Sequence, residues 1–157
     1  WWNFSFLNRV KNQLDFIGLN YYSRNIINLG LINPHTKFGV GVKKPKKNIS
    51  DLGWELYPKG IYAVLKSLRR YKKPIFITEN GLADAQDKNR AEFIKETLEY
   101  VFKAQKEGID VRGYLHWSLL DNFEWDKGFW PRFGLIEIDY QTMARKIRPS
   151  AWKYKGY

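Results

Sequence analysis

The stretch Pro74-Ile75-Phe76-Ile77-Thr78-Glu79-Asn80-Gly81 decides how this chain is read. Three apolar residues with strong β preference run straight into a carboxylate, and Asn-Gly then turns the chain. Carboxylates are almost never fully buried without partners, so a glutamate closing a buried strand needs a chemical reason. Catalysis is one, because α/β enzymes place reacting groups at the C-terminal lips of their strands. A surface carboxylate that merely opens a loop is the other.

Two further segments end in the same way. Residues 14–22 (LDFIGLNYY) and 111–120 (VRGYLHWSLL) are nearly continuous apolar runs, matching the strand over 75–79. Helical periodicity separates them. After Pro58, Ile61, Val64, Leu65 and Leu68 share one face; later Ile94, Leu98, Val101 and Phe102 share another. Asn89 and Glu92 have capping-box spacing, and Gly108 suits a helix stop. A weaker helical segment holds Leu7, Arg9 and Lys11. A connection of Gly, Asn, Pro and Lys spans 23–57, long enough to suggest function or mobility. Near the end, 133–140 reads as a strand, with Lys146 and Ile147 returning as its hairpin partner.

Continuous apolar strands alternating with helices predict a parallel sheet buried on both faces. Three such units leave two long hydrophobic edges, which proteins normally avoid. The expected fold is therefore α/β: a partial (β/α)8 TIM barrel, about its last three βα units. Residues 1–157 would be the C-terminal portion of one catalytic barrel, since a whole one needs about 250 residues.

Composition narrows the chemistry. There is no Cys, which removes disulfides and cysteine nucleophiles, and only two His, which argues against a His-based metal site. No apolar run is long enough to span a membrane, and no signal peptide opens the chain, so the expected location is cytoplasmic. The chain opens on Trp1-Trp2 and its one Met is Met143, so a processed product, an excised piece or an engineered one is expected. The net charge of +11 is concentrated at Lys43, Lys44, Lys46, Lys47 and at Arg69, Arg70, Lys72, Lys73. Such patches suit nucleic acid or an anionic surface, or equally a solvated loop and a helix C-terminus. No nucleic-acid motif accompanies them and no aromatics interleave, so neither nucleic acid nor membrane is an expected partner. An acidic protein partner stays open.

In a barrel the three strand ends share one face. There they would gather Asn20, Tyr21 and Tyr22, then Glu79 and Asn80, then Trp117 and the loop Asp121-Asn122-Phe123-Glu124-Trp125. Carboxylates that grip vicinal hydroxyls and indoles that stack on a ring are a polyol-binding inventory.

At these residues a family resemblance enters. NYY, ITENG, HWSLLDNFEW, GFWPRFGL and IDY, in this order and spacing, resemble the C-terminal third of glycoside hydrolase family 1, retaining β-glucosidases and β-galactosidases on a (β/α)8 barrel. The resemblance implies that Glu79 is the catalytic nucleophile and Tyr22 the phenol that orients it. It implies substrate-binding roles for Asn20, Glu124, Trp125 and Trp117, the last as the stacking platform. Phe129 would lie at the subsite rim and Trp54 in the leaving-group subsite. No metal and no cofactor are implied. The carboxylate and indole of Glu124-Trp125 stand where relatives acting on 6-phosphosugars accept a phosphate, so an unphosphorylated β-glucoside or β-galactoside is expected.

Blander readings stand beside these. Trp117 and Tyr22 could be core aromatics, and Phe129 and Trp130 surface packing. His116 should face away from Trp117 by strand alternation and be structural. Asp121 and Asn122 would shape their own loop. Arg132 would tie the terminal hairpin to the barrel.

A retaining glycosidase needs two carboxylates about 5–5.5 Å apart. The family's acid/base lies in an Asn-Glu-Pro motif, and this chain has none. The chain alone is thus expected to be inactive. It would act with the N-terminal portion of the same barrel, a separate chain or piece carrying the acid/base. The alternative is an inactive carbohydrate-binding barrel fragment.

Overall fold

The computed structural model describes residues 4–29, 40–43, 45 and 47–157. Trp1, Trp2, Lys44 and Lys46 lie outside the described residues. Three strands form a parallel sheet in the order β1 (Ile17–Asn20), β4 (Ile75–Asn80), β5 (Val111–His116). Helix α2 (Lys59–Leu68) connects β1 to β4, and α3 (Arg90–Lys106) connects β4 to β5. The strand–helix rhythm of the sequence is thus present; β1 and β5 are shorter than their apolar runs, and β4 runs one residue past the expected 75–79.

The long connection holds structure that its composition hid. An antiparallel ribbon of β2 (Ile26–Leu29) and β3 (Val40–Lys43) lies within it. Helix α1 (Ser5–Val10) occupies the weaker helical segment. The predicted terminal hairpin is β6 (Ile136–Ile138) against β7 (Arg145–Ile147), followed by α4 (Pro149–Tyr154).

One core joins sheet and helices. Ile61, Leu65 and Leu68 of α2 recur at helical spacing and bury against Ile17, Ile75, Ile77, Val101 and Val111. On α3 the buried face runs through Phe93, Ile94, Thr97, Leu98, Val101 and Ala104. Phe102, expected on that face, is instead about half exposed. It borders an open groove beside β5, lined also by Leu98, Val111 and Tyr114.

The capping box also needs correcting. Asn89 is the N-cap of α3, but its side chain makes no capping bond, because its backbone is already near-helical. Asp84 does that work: its Oδ2 accepts from the Asn89 and Arg90 amides at 2.7 and 3.0 Å. The third strand likewise stops earlier than its apolar run. After His116, the chain leaves β5 and pairs with the terminal hairpin, through Leu135 N to Ser118 O (2.8 Å) and a parallel bridge from Leu120 to Ile136.

The sheet is covered on one face by α2 and α3. Its other face carries Phe16, Phe76 and Leu115, with Leu115 61% exposed. At the outer edge of β1, Phe4, Leu7, Leu19, Val64 and Leu68 line a groove of about 300 Å³. Among the described residues, no helix is long and apolar enough to cross a membrane.

Candidate active site

The C-terminal ends of β1, β4 and β5 bring the site together. The sheet has three register shifts: one lies at the start of β4, between Ile75 and Phe76 against β5, and the other two fall at its end. Ile77 pairs with Leu19 and Glu79 with Asn20, so β4 carries one residue more than β1 there. Against β5, Ile77 pairs with Tyr114 and Asn80 with His116, again with one residue extra. Extra residues of this kind bend a strand and re-aim its side chains. Here the re-aimed residues are Thr78 and Glu79.

Tyr22 Oη donates to Glu79 Oε2 at 2.6 Å. The Tyr22 ring sits edge-on to Trp54 (5.7 Å between centroids) and to Phe133 (6.2 Å). Burial, then the hydrogen bond to the Glu79 carboxylate, pushes the phenol far above the ordinary tyrosine pKa. Tyr22 therefore stays protonated and remains a donor. Trp54 is carried by a turn in which Ser50 N donates to Trp54 O at 2.9 Å. That loop is laced to β1: Tyr21 Oη donates to Tyr57 O (2.6 Å), and the Arg24 guanidinium clasps Glu55 through bonds of 2.7 and 2.9 Å.

Glu124 faces the same ground. Burial raises its pKa, the neighbouring Trp117 indole pulls it the other way, and the negative charges of Glu79 and Asp126 raise it further. Tyr22, Trp54, Glu79, Trp117 and Glu124 thus form one cluster. Asn20 sits beside it, opposite Glu79 in register, and accepts from Thr78 Oγ1 at 2.7 Å. Trp125 follows Glu124 with a left-handed backbone (φ 42°) and is 83% exposed. Phe129 is not gathered with Glu79: its ring packs between Phe123 (5.2 Å) and Tyr140 (4.7 Å) at the outer rim. Among the described residues, no three His, Cys, Asp or Glu side chains converge to hold a metal ion.

Several supporting residues went unread in the sequence. Asn80 is fully buried and bridges two strands; nothing in ITENG distinguishes it from an ordinary turn residue. Gly81 does more than turn the chain. A Cβ there would sit 1.9 Å from the Trp117 carbonyl oxygen, so only glycine lets the β4 and β5 exits lie this close. Asp121 reaches well past its own loop. Its carboxylate accepts from Gly134 N (2.9 Å) and from both Arg148 Nη groups (3.0 and 3.1 Å), with both side chains buried. Arg132 does tie the hairpin, donating to Ile138 O at 3.0 Å and lying over the Tyr140 ring.

A sequence model of glycosyl hydrolase family 1 matches residues 5–156. The chain belongs to that family. This member is 42% identical over 154 residues to a β-galactosidase of Sulfolobus acidocaldarius, covering 93% of this chain and 31% of the relative. It is 36% identical to a 1,4-β-D-glucan glucohydrolase of Thermotoga neapolitana, covering 96% and 36%. Among solved structures it superposes on the hyperthermophilic β-glucosidase of Pyrococcus furiosus with a TM-score of 0.86 at 39% identity, covering 98% of this chain and 35% of the other. A β-glycosidase from Pyrococcus horikoshii gives 0.79 at 50% identity, covering 88% and 33%. The family 1 chain therefore spans about a third of the length of the relatives it matches.

Proposed function

We propose that this chain supplies the nucleophile half of a retaining β-glycosidase. The observation that carries the reading is the 2.6 Å bond from Tyr22 to Glu79 at the lip of β4, with Glu124 beside it. The free oxygen of Glu79 attacks the anomeric carbon while the bond to the leaving oxygen breaks. A carboxylic acid from the N-terminal portion of the barrel gives that oxygen its proton. Water, deprotonated by the same group, then opens the glycosyl ester and returns Glu79 as a carboxylate. Neither step calls for a metal or cofactor. Trp117 supports the ring face, and Glu124 and Asn20 grip hydroxyls. A phosphate brought near Glu124 would meet like charge, on the order of 4 kcal/mol at 4 Å for unit charges near a protein surface. The substrate class is therefore an unphosphorylated β-glucoside or β-galactoside.

The partner is the N-terminal portion of the barrel, which completes the sheet beyond β1 and β5 and covers Phe16, Phe76 and Leu115. The test is turnover of an aryl β-glucoside and β-galactoside by the assembled barrel. Glu79→Ala should lower kcat by roughly 10⁴- to 10⁶-fold. Wild-type turnover by that variant rejects the reading. Sugar binding without turnover by the wild-type assembly would instead mark an inactive carbohydrate-binding barrel.

A further inference from the structure

The β4 bulge raises a question that the Tyr22–Glu79 bond does not answer: what holds the lip of β4 in place where the regular ladder is interrupted? Two residues, Thr78 and Glu79, occupy the irregular step. Immediately after them comes Asn80, whose side chain is fully buried. Its Nδ2 donates to the Tyr21 carbonyl at 2.6 Å, and its Oδ1 accepts from Tyr114 Oη at 2.7 Å. One primary amide thus spans from β5, through β4, to the residue that precedes Tyr22. Backbone bonds close the bracket on both sides: Tyr21 N to Glu79 O at 2.9 Å, and Trp117 N to Asn80 O at 2.8 Å.

We infer that Asn80 is a positioning residue: its amide replaces the ladder bonds lost at the bulge and fixes Glu79 against Tyr22 and the Trp117 platform. The inference rests on the proposed role of Glu79. Asn80 touches neither substrate nor the reacting atoms; it acts through the backbone on either side of them. A buried amide bonded on both sides also resists sliding, since moving β4 against β1 or β5 would strand a buried donor or acceptor.

The experiment uses the assembled barrel. Asn80→Ala, Asn80→Asp and Tyr114→Phe are compared with wild type after active sites are counted by labelling to completion with a 2-fluoro-β-glycoside. Asn80→Asp keeps the shape and the acceptor for Tyr114 but sets an acceptor against the Tyr21 carbonyl. Displacement of the nucleophile predicts an about 10- to 100-fold fall in kcat and labelling rate per counted site. The inhibition constant of the free sugar should stay within about two-fold, because a neutral ring in its ground state does not read the position of Glu79. Tyr114→Phe should give a smaller fall in the same direction. If the Asn80 variants do not assemble, Tyr114→Phe decides alone, as it lies on β5 and contacts neither Glu79 nor Tyr22 directly. Fewer counted sites and a lower Tm with unchanged per-site rates would overturn the inference. Wild type that never labels on Glu79 would overturn the proposed function itself, a different result from labelled variants with wild-type rates.

Discussion

Among the described residues, neither buried ring nitrogen of His116 meets a hydrogen-bond partner, and the side chain lies one residue before Trp117. Burial, reinforced by the Arg90 guanidinium, pulls its pKa down to about 3, so the native imidazole is neutral. The unfolded chain takes up a proton near the ordinary histidine value of about 6.5. Between those values the unfolded state binds more protons than the native one. Stability therefore falls as pH is lowered from about 6.5 toward 3, by up to about 1.4 kcal/mol per pH unit. His116→Leu should flatten that slope, read as urea midpoints of the assembled protein between pH 7 and 4. Parallel curves for variant and wild type would remove His116 from the account. At this scale the sequence was most legible where chemistry is local. Glu79 and Tyr22 announce themselves by type and by place at a strand end. The two ends of the Asn80 bracket lie 59 and 34 residues from it, a separation no local pattern encodes.

Strands and helices were readable because each needs one apolar face at a fixed period. Ile61, Leu65 and Leu68 declare α2 without help from the rest of the chain. What failed was whatever another element supplies. The cap of α3 comes from Asp84 rather than from Asn89, and the break after His116 depends on the hairpin that pairs with Ser118 and Leu120. The same dependence gives Asp121 its weight. It joins the segment after β5 to the start of α4 through Arg148, and both side chains are shut away from water. Asp121→Ala strands a buried guanidinium and should cost about 3–5 kcal/mol in urea unfolding of the assembled protein. A loss below about 1 kcal/mol would show that Arg148 finds water or another partner. The buried Arg90 belongs to a similar knot: it donates to Asp84 O and Arg132 O at 2.8 and 2.9 Å and also bonds Asp87. Asp87 in turn receives Ser150 N and Oγ at 2.9 and 2.6 Å.

For the whole molecule, the sequence predicted a sheet covered on both faces, and the structure covers one. Phe16, Phe76 and Leu115 stand on the open face, where a parallel sheet ordinarily meets a second layer. Burying a leucine is worth about 1.5–3 kcal/mol. Leu115→Lys should therefore weaken association with the N-terminal portion of the barrel by about 10- to 100-fold, measured by titration of one piece against the other. Unchanged association would mean that the open face is not the joining surface. The C-terminal segment has a different consequence, in terms of force. Tyr154 Oη reaches Tyr114 O at 3.3 Å, Ser150 is fastened to Asp87, and Arg148 is fastened to Asp121. A pull applied at Tyr157 would be shared at once among β5, the loop that caps α3 and the segment leading to Glu124. A tether attached to the tail of this chain would load the proposed sugar site through these three fastenings.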